Sequence, residues 1–126
     1  MMNFYHVSLI AAAALSLTAC TGGRTVRAYD VTTGGAAGRG MKLIAMKNCG
    51  ACHTIPGIEG AQGVVGPPLS FFSRRTYIAG EVPNSPDNLI RWIRSPQSIE
   101  PHTAMPNLGV TEQQARDIAA YLYTIR

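Results

Sequence analysis

The five residues Cys49-Gly50-Ala51-Cys52-His53 constrain this chain more than any other stretch. Two thiols stand three residues apart, so a terminating helical turn points both the same way, and an imidazole follows directly. That order removes most of what a C-x-x-C pair can otherwise mean. A zinc ribbon needs a second ligand pair, and the chain has 3 cysteines. A thioredoxin-like redox pair expects a βαβ context, and no strand-like alternation precedes this one. A structural disulfide suits an exported chain but gives the adjoining histidine nothing to do. C-x-x-C-H is instead the attachment signature of c-type haem. The thiols reach the two vinyl groups on one porphyrin edge, and His53 swings its imidazole beneath the iron.

A covalent group of that size also suits the length. The chain has 126 residues, enough for one domain, and the part that can be ordered is shorter still. Fewer than about 90 residues bury little surface unless something large is added to the core. Lys and Arg total 11 against 7 Asp and Glu, a net charge of +4 with no long basic run. This balance serves solubility or docking on an acidic or anionic surface, and nucleic acid is not an expected partner.

The first nineteen residues contain no Asp, Glu, Lys or Arg, and Val7 to Ala19 are almost wholly apolar or small. The run is shorter than the roughly 20 residues that cross a bilayer, so residues 1–19 read as a signal peptide. They depart from the usual pattern in lacking a basic residue near Met1. Leu17-Thr18-Ala19-Cys20 resembles a bacterial lipoprotein box. If so, cleavage follows Ala19 and Cys20 carries a diacylglyceryl group; the alternative is an ordinary signal with a chance cysteine. Residues 20–37 then form a lipidated cysteine and a Gly, Thr and Ala-rich tether, with a reach on the order of 20–25 Å. The expected location is the periplasmic face of a bacterial membrane, lipid-anchored.

Residues 38–126 form the expected domain. Met41, Ile44 and Ala45, then Cys49 and Cys52, fit one face of an amphipathic helix from Gly38 to Asn48. Residues 54–68 are too rich in Gly and Pro for a regular element and read as a wrapped loop. Ser85 as N-cap, Pro86 at the first position and Asp87 announce a second helix, with Leu89, Trp92 and Ile93 as its buried stripe. Arg91 and Arg94 face away, and Pro96 stops it. Thr111 and Gln114 make a capping box for a last helix running to Arg126, with Ala115, Ile118, Ala119 and Leu122 inward. With no alternating pattern and no repeat, the class is all-α.

A haem iron needs a sixth ligand or an open position. Beyond the export segment the methionines are Met41, Met46 and Met105. The first two sit on a helix, where methionine is usually packing. Met105, in Ala104-Met105-Pro106, lies on an irregular strap between helices and is the assigned ligand. His102 competes; a bis-His site would have the lower potential, and a thioether raises it.

Four stretches taken in order, Cys49-x-x-Cys52-His53, Gly66-Pro67-Pro68-Leu69, Thr103-Ala104-Met105-Pro106 and Ile118-Ala119-Ala120-Tyr121-Leu122, resemble the monohaem class I cytochromes c from about Gly38 to Arg126. The resemblance implies a cytochrome c-like fold of roughly three to five helices around one covalently attached haem c, with its iron on His53 and Met105. It implies that the Pro67 carbonyl accepts from Nδ1 of His53, fixing the ring and raising its basicity. Leu69 and Ile93 would pack on the porphyrin, and Trp92 would stand near the methionine side. Arg75 and Tyr77 would donate to the propionates, against the plainer reading of Arg74 and Arg75 as a solvated basic pair. Gly40 would let the first helix cross the last one closely, meeting Tyr121.

The stretch from Tyr77 through Pro83-Asn84-Ser85-Pro86 to Arg94 is similar to the cytochrome c domain fused to subunit II of some haem–copper oxidases. No copper domain precedes it here, so the expected role is that of a separate donor. With both axial positions filled, outer-sphere transfer of single electrons is expected, without catalysis and without a small-molecule substrate. The expected partners are a terminal oxidase or a quinol-oxidising complex. A permanent haem subunit of a periplasmic dehydrogenase or oxidase is the alternative. An enzyme or gas sensor, differing in class, would need an open iron position and a polar group such as His102.

Overall fold

A computed structural model describes residues 32–126. The expected signal peptide 1–19, the expected lipidation site Cys20 and the part of the expected tether up to residue 31 lie outside the described residues. Three helices make the frame: α1 (Ala37–Met46), α2 (Pro86–Arg94) and α3 (Glu112–Leu122). Short 3₁₀ turns at Cys49–Ala51, Phe72–Arg74 and Pro96–Ser98 carry the chain between them. None of the helices among the described residues is long and apolar enough to cross a membrane.

The helix starts follow local chemistry. Ser85 Oγ accepts from the Asn88 N–H at 3.4 Å, with Pro86 opening α2 and Asp87 in its first turn. At α3 the capping box is complete: Thr111 Oγ1 accepts from the Gln114 N–H at 3.2 Å, and Gln114 Oε1 accepts from the Thr111 N–H at 2.9 Å. The helix stops at Leu122, short of the Arg126 expected. The chain then turns back so that Ile125 is buried and its carbonyl accepts from the N–H and hydroxyl of Ser73, at 3.0 and 2.9 Å.

α1 and α3 form the tightest crossing. Gly40 lies so close to α3 that a Cβ there would stand 1.9 Å from the Asp117 carbonyl oxygen, which only glycine avoids. The neighbour at the crossing is thus the Asp117 and Ile118 backbone; Tyr121, a turn further on, donates to the Pro56 carbonyl at 2.9 Å. This crossing also corrects the inner face of α1. Ala37, Gly40 and Ile44 are buried, while Met41 and Ala45 are exposed. A small-residue face leaves little hydrophobic signal, so Met41 misleads a reading of periodicity.

The structure departs from the sequence pattern in three further places. In α2 the third buried residue is Ile90, and Trp92 is half-buried at a cavity wall. The all-helical frame carries one small antiparallel ladder, β1 (Tyr77–Ile78) with β2 (Val82–Pro83). Two-residue strands show no period, and their turn is made by the positive φ of Ala79 (55°) and Gly80 (78°). Finally, packing begins before residue 38. Thr33 is fully buried, Arg116 donates to its carbonyl at 3.0 Å, and the Ala36 N–H donates to Asp117 Oδ1 at 2.8 Å.

The core joins Ile44 of α1, Leu89 and Ile93 of α2, Ile118 and Leu122 of α3, and Phe72 and Ile78 between them. Phe72 meets Tyr123 edge to face, ring centres 6.0 Å apart. Tyr123 donates at 2.8 Å to Asn84, whose amide donates to the carbonyls of Phe72 and Arg75. Burial pushes the Tyr123 hydroxyl up to about 12, so it remains a donor.

Candidate haem site

The three helices do not close on one another completely: they surround a cavity of about 550 Å³. Cys49, Cys52 and His53 stand at one side of it. Asn48 sets them there by adopting φ 55°, which ends the run of α1 and starts the 3₁₀ turn that carries the cysteines. The cysteines therefore follow the helix on a separate turn and do not extend its inner face. Both are half-buried, and they are not joined to each other. Burial is the dominant influence on the Cys49 thiol and pushes it up.

His53 is held from the loop that follows. Its Nδ1 lies 2.7 Å from the Pro67 carbonyl oxygen. A carbonyl can only accept, so the proton belongs on Nδ1 and Nε2 keeps its lone pair for a metal. Gly66 makes the approach possible, because a Cβ there would sit 2.4 Å from the ring Cε1. The Gly66 N–H donates to the Cys52 carbonyl at 2.8 Å and the Leu69 N–H to Thr54 at 2.8 Å, so the wrapped loop returns to the motif.

The remaining wall comes from elements far apart in the chain. Leu69, Trp92 and Ile93 line the cavity together with Phe72, which no sequence motif marks. The signal for Phe72 was the aromatic pair Phe71-Phe72 just after Leu69, with only the second buried. Met105 also lines it, half-buried, from the irregular strap between the Pro96–Ser98 turn and α3. Met41 and Met46 are 45% and 78% exposed on α1 and are not part of the lining. His102 is exposed on the strap, its N–H bonded to Glu100 Oε1 at 2.9 Å.

Arg75 and Tyr77 stand at the rim. Arg75 donates to the Pro68 carbonyl and lies 5.5 Å over the Phe72 ring. Arg74 separates from it, stacking at 5.9 Å on the exposed Phe71. Tyr77 is 56% exposed.

Two sulfurs and an imidazole at one side, a thioether in the lining and apolar walls between define a site for a flat, iron-bearing cofactor held through sulfur. The donor set and the room fit a haem. The comparisons agree. The family model described as Cytochrome c matches residues 37–126, and the chain belongs to the cytochrome c family, electron-transfer proteins that bind haem c and its iron covalently. The chain is 32% identical over 91 residues to cytochrome c oxidase subunit 2 of Alkalihalophilus pseudofirmus, covering 71% of this chain and 26% of that one. Against the subunit of the same name from Bacillus subtilis it is 33% identical over 83 residues, 61% of this chain and 23% of the other. The chain thus spans about a quarter of the length of these curated relatives.

Proposed function

We propose that this chain is a membrane-tethered carrier of single electrons with one haem c, attached through Cys49 and Cys52 and ligated by His53 and Met105. The observation that carries the reading is the make-up of one cavity, where the motif and, of the described methionines, Met105 share a lining. When bound, the haem supplies an iron that takes up and releases one electron. His53 offers Nε2 because Pro67 holds the proton at Nδ1. Met105, in the same lining, would be the second protein ligand and would leave the bound iron no free position for a substrate. Leu69, Trp92 and Ile93 line the cavity with apolar surface and would keep water from a bound haem, which with a thioether ligand would favour the reduced state. Arg75 and Tyr77, at the rim, are placed to donate to the propionates.

The domain plan is a signal at 1–19, a lipidated Cys20 with its tether, and the haem domain after it, on the periplasmic face of a membrane. The partners of this reading are a haem–copper terminal oxidase and a quinol-oxidising complex. A second reading, a permanent haem subunit of an oxidase, is favoured by one observation: the matching stretches of the relatives lie within proteins named oxidase subunits. Native-size measurement after gentle extraction from membranes separates the two, a lone domain supporting the carrier and a stable complex the subunit.

Absorption of the ferric holoprotein tests the site. A weak band near the red end, from sulfur on iron, is expected for the native chain and should vanish in Met105→Ala while haem stays attached. Persistence of that band in the variant would remove Met105 from the site.

A further inference from the structure

The strap that bears Met105 is nearly free of main-chain support. Among the described residues, no backbone-to-backbone hydrogen bond involves residues 104–110. Its internal bonds are short-range: Thr103 Oγ1 accepts from the Met105 N–H at 3.2 Å, and Asn107 Oδ1 from the Gly109 N–H at 2.9 Å. Two side chains from outside hold it. Gln97, in the 3₁₀ turn anchored by fully buried Pro96, donates to the Met105 carbonyl at 2.9 Å. Lys47, at the end of α1 and two residues before Cys49, donates to the Leu108 carbonyl at 3.3 Å. One clamp acts at the methionine itself, and the other ties the strap to the segment carrying the attachment cysteines.

We propose that Gln97 and Lys47 are positioning residues that hold the strap over the cavity and set how firmly Met105 occupies the sixth position of the iron. The proposal rests on Met105 being that ligand. A methionine thioether is a neutral, modest donor, so its occupancy depends on how little freedom the backbone behind it has. With a clamp removed, the strap samples positions with Met105 withdrawn, and an added ligand competes better by the population of those positions.

Titration of the ferric holoprotein with imidazole tests this. Gln97→Glu keeps the shape but cannot donate, and Lys47→Met keeps the length without the ammonium. Each should bind imidazole about threefold to tenfold more tightly, the effect of losing one ordinary hydrogen bond. Lys47→Arg, which still donates, should keep the native affinity. The reduction potential should fall in the two weakened variants. In a Met105→Ala background neither change should alter imidazole affinity, because nothing remains to be displaced. Native affinity in both single variants, or an equal gain in the Met105→Ala background, overturns the proposal. If Met105→Ala by itself leaves imidazole affinity unchanged, the ligand assignment fails instead, and that outcome is distinguishable from the failure of the clamps.

Discussion

At Gly66 one missing carbon decides where His53 can stand. A methyl there would lie 2.4 Å from Cε1 and 2.7 Å from Nδ1 of the ring, so Gly66→Ala must displace either the loop or the imidazole. We expect a loss of about 1–3 kcal/mol, the usual cost of overpacking, read by denaturant unfolding of the holoprotein; native stability would mean the loop yields freely. Asp117 is a second residue whose setting decides its chemistry. Burial tends to raise its carboxyl, but Arg39, the Ala36 N–H and Gln113 outweigh that and hold it below the ordinary range. Its contribution to stability is therefore complete above the unfolded value of about 3.9 and is lost as pH falls through the lower folded value. The melting-temperature gap between the native chain and Asp117→Asn should narrow below about pH 4; a gap independent of pH would contradict this. At this scale the sequence was most informative where chemistry is contiguous, as in Cys49 to His53. Phe72, Gln97 and Lys47 were not legible, because each acts on a partner fixed only by the fold.

Among the elements, helix starts were easier to read than faces. Thr111 with Gln114 and Ser85 with Pro86 announce helix starts through residues within one turn of each other, and the structure has both caps. Thr111→Ala should cost about 1 kcal/mol and should loosen the first turn of α3, where amide hydrogen exchange at Gln114 reports it. Unchanged exchange would assign the stability of that turn to packing alone. The inner face of α1 was hidden because its contact is made by Ala37 and Gly40, whose smallness matters only once α3 lies across them. The β1–β2 ladder was hidden by its brevity, and the end of α3 by an apolar tail, Ile125, that packs without continuing the helix.

For the whole molecule, the proposed membrane anchor makes a prediction of its own. A diacylglyceryl group on Cys20, if present, would supply two chains, enough for stable anchoring. The mature protein should then resist extraction by high salt, whereas attachment by its net charge of +4 alone would be screened over about 10 Å at 0.1 M. Cys20→Ser should release the protein or leave its precursor uncleaved; salt-resistant pelleting of a cleaved serine variant would exclude the anchor. The clasp between α1 and α3 bears on an earlier moment in the protein's life. Arg39 and Asp117 are 78 positions apart, yet their side chains meet at 2.8 Å, so α1 has no partner until the last helix has been synthesised. Contacts this distant along the chain form late. Until α3 docks, Cys49 and Cys52 therefore stand on an unclosed frame, and both thiols are more open to solvent than in the finished fold.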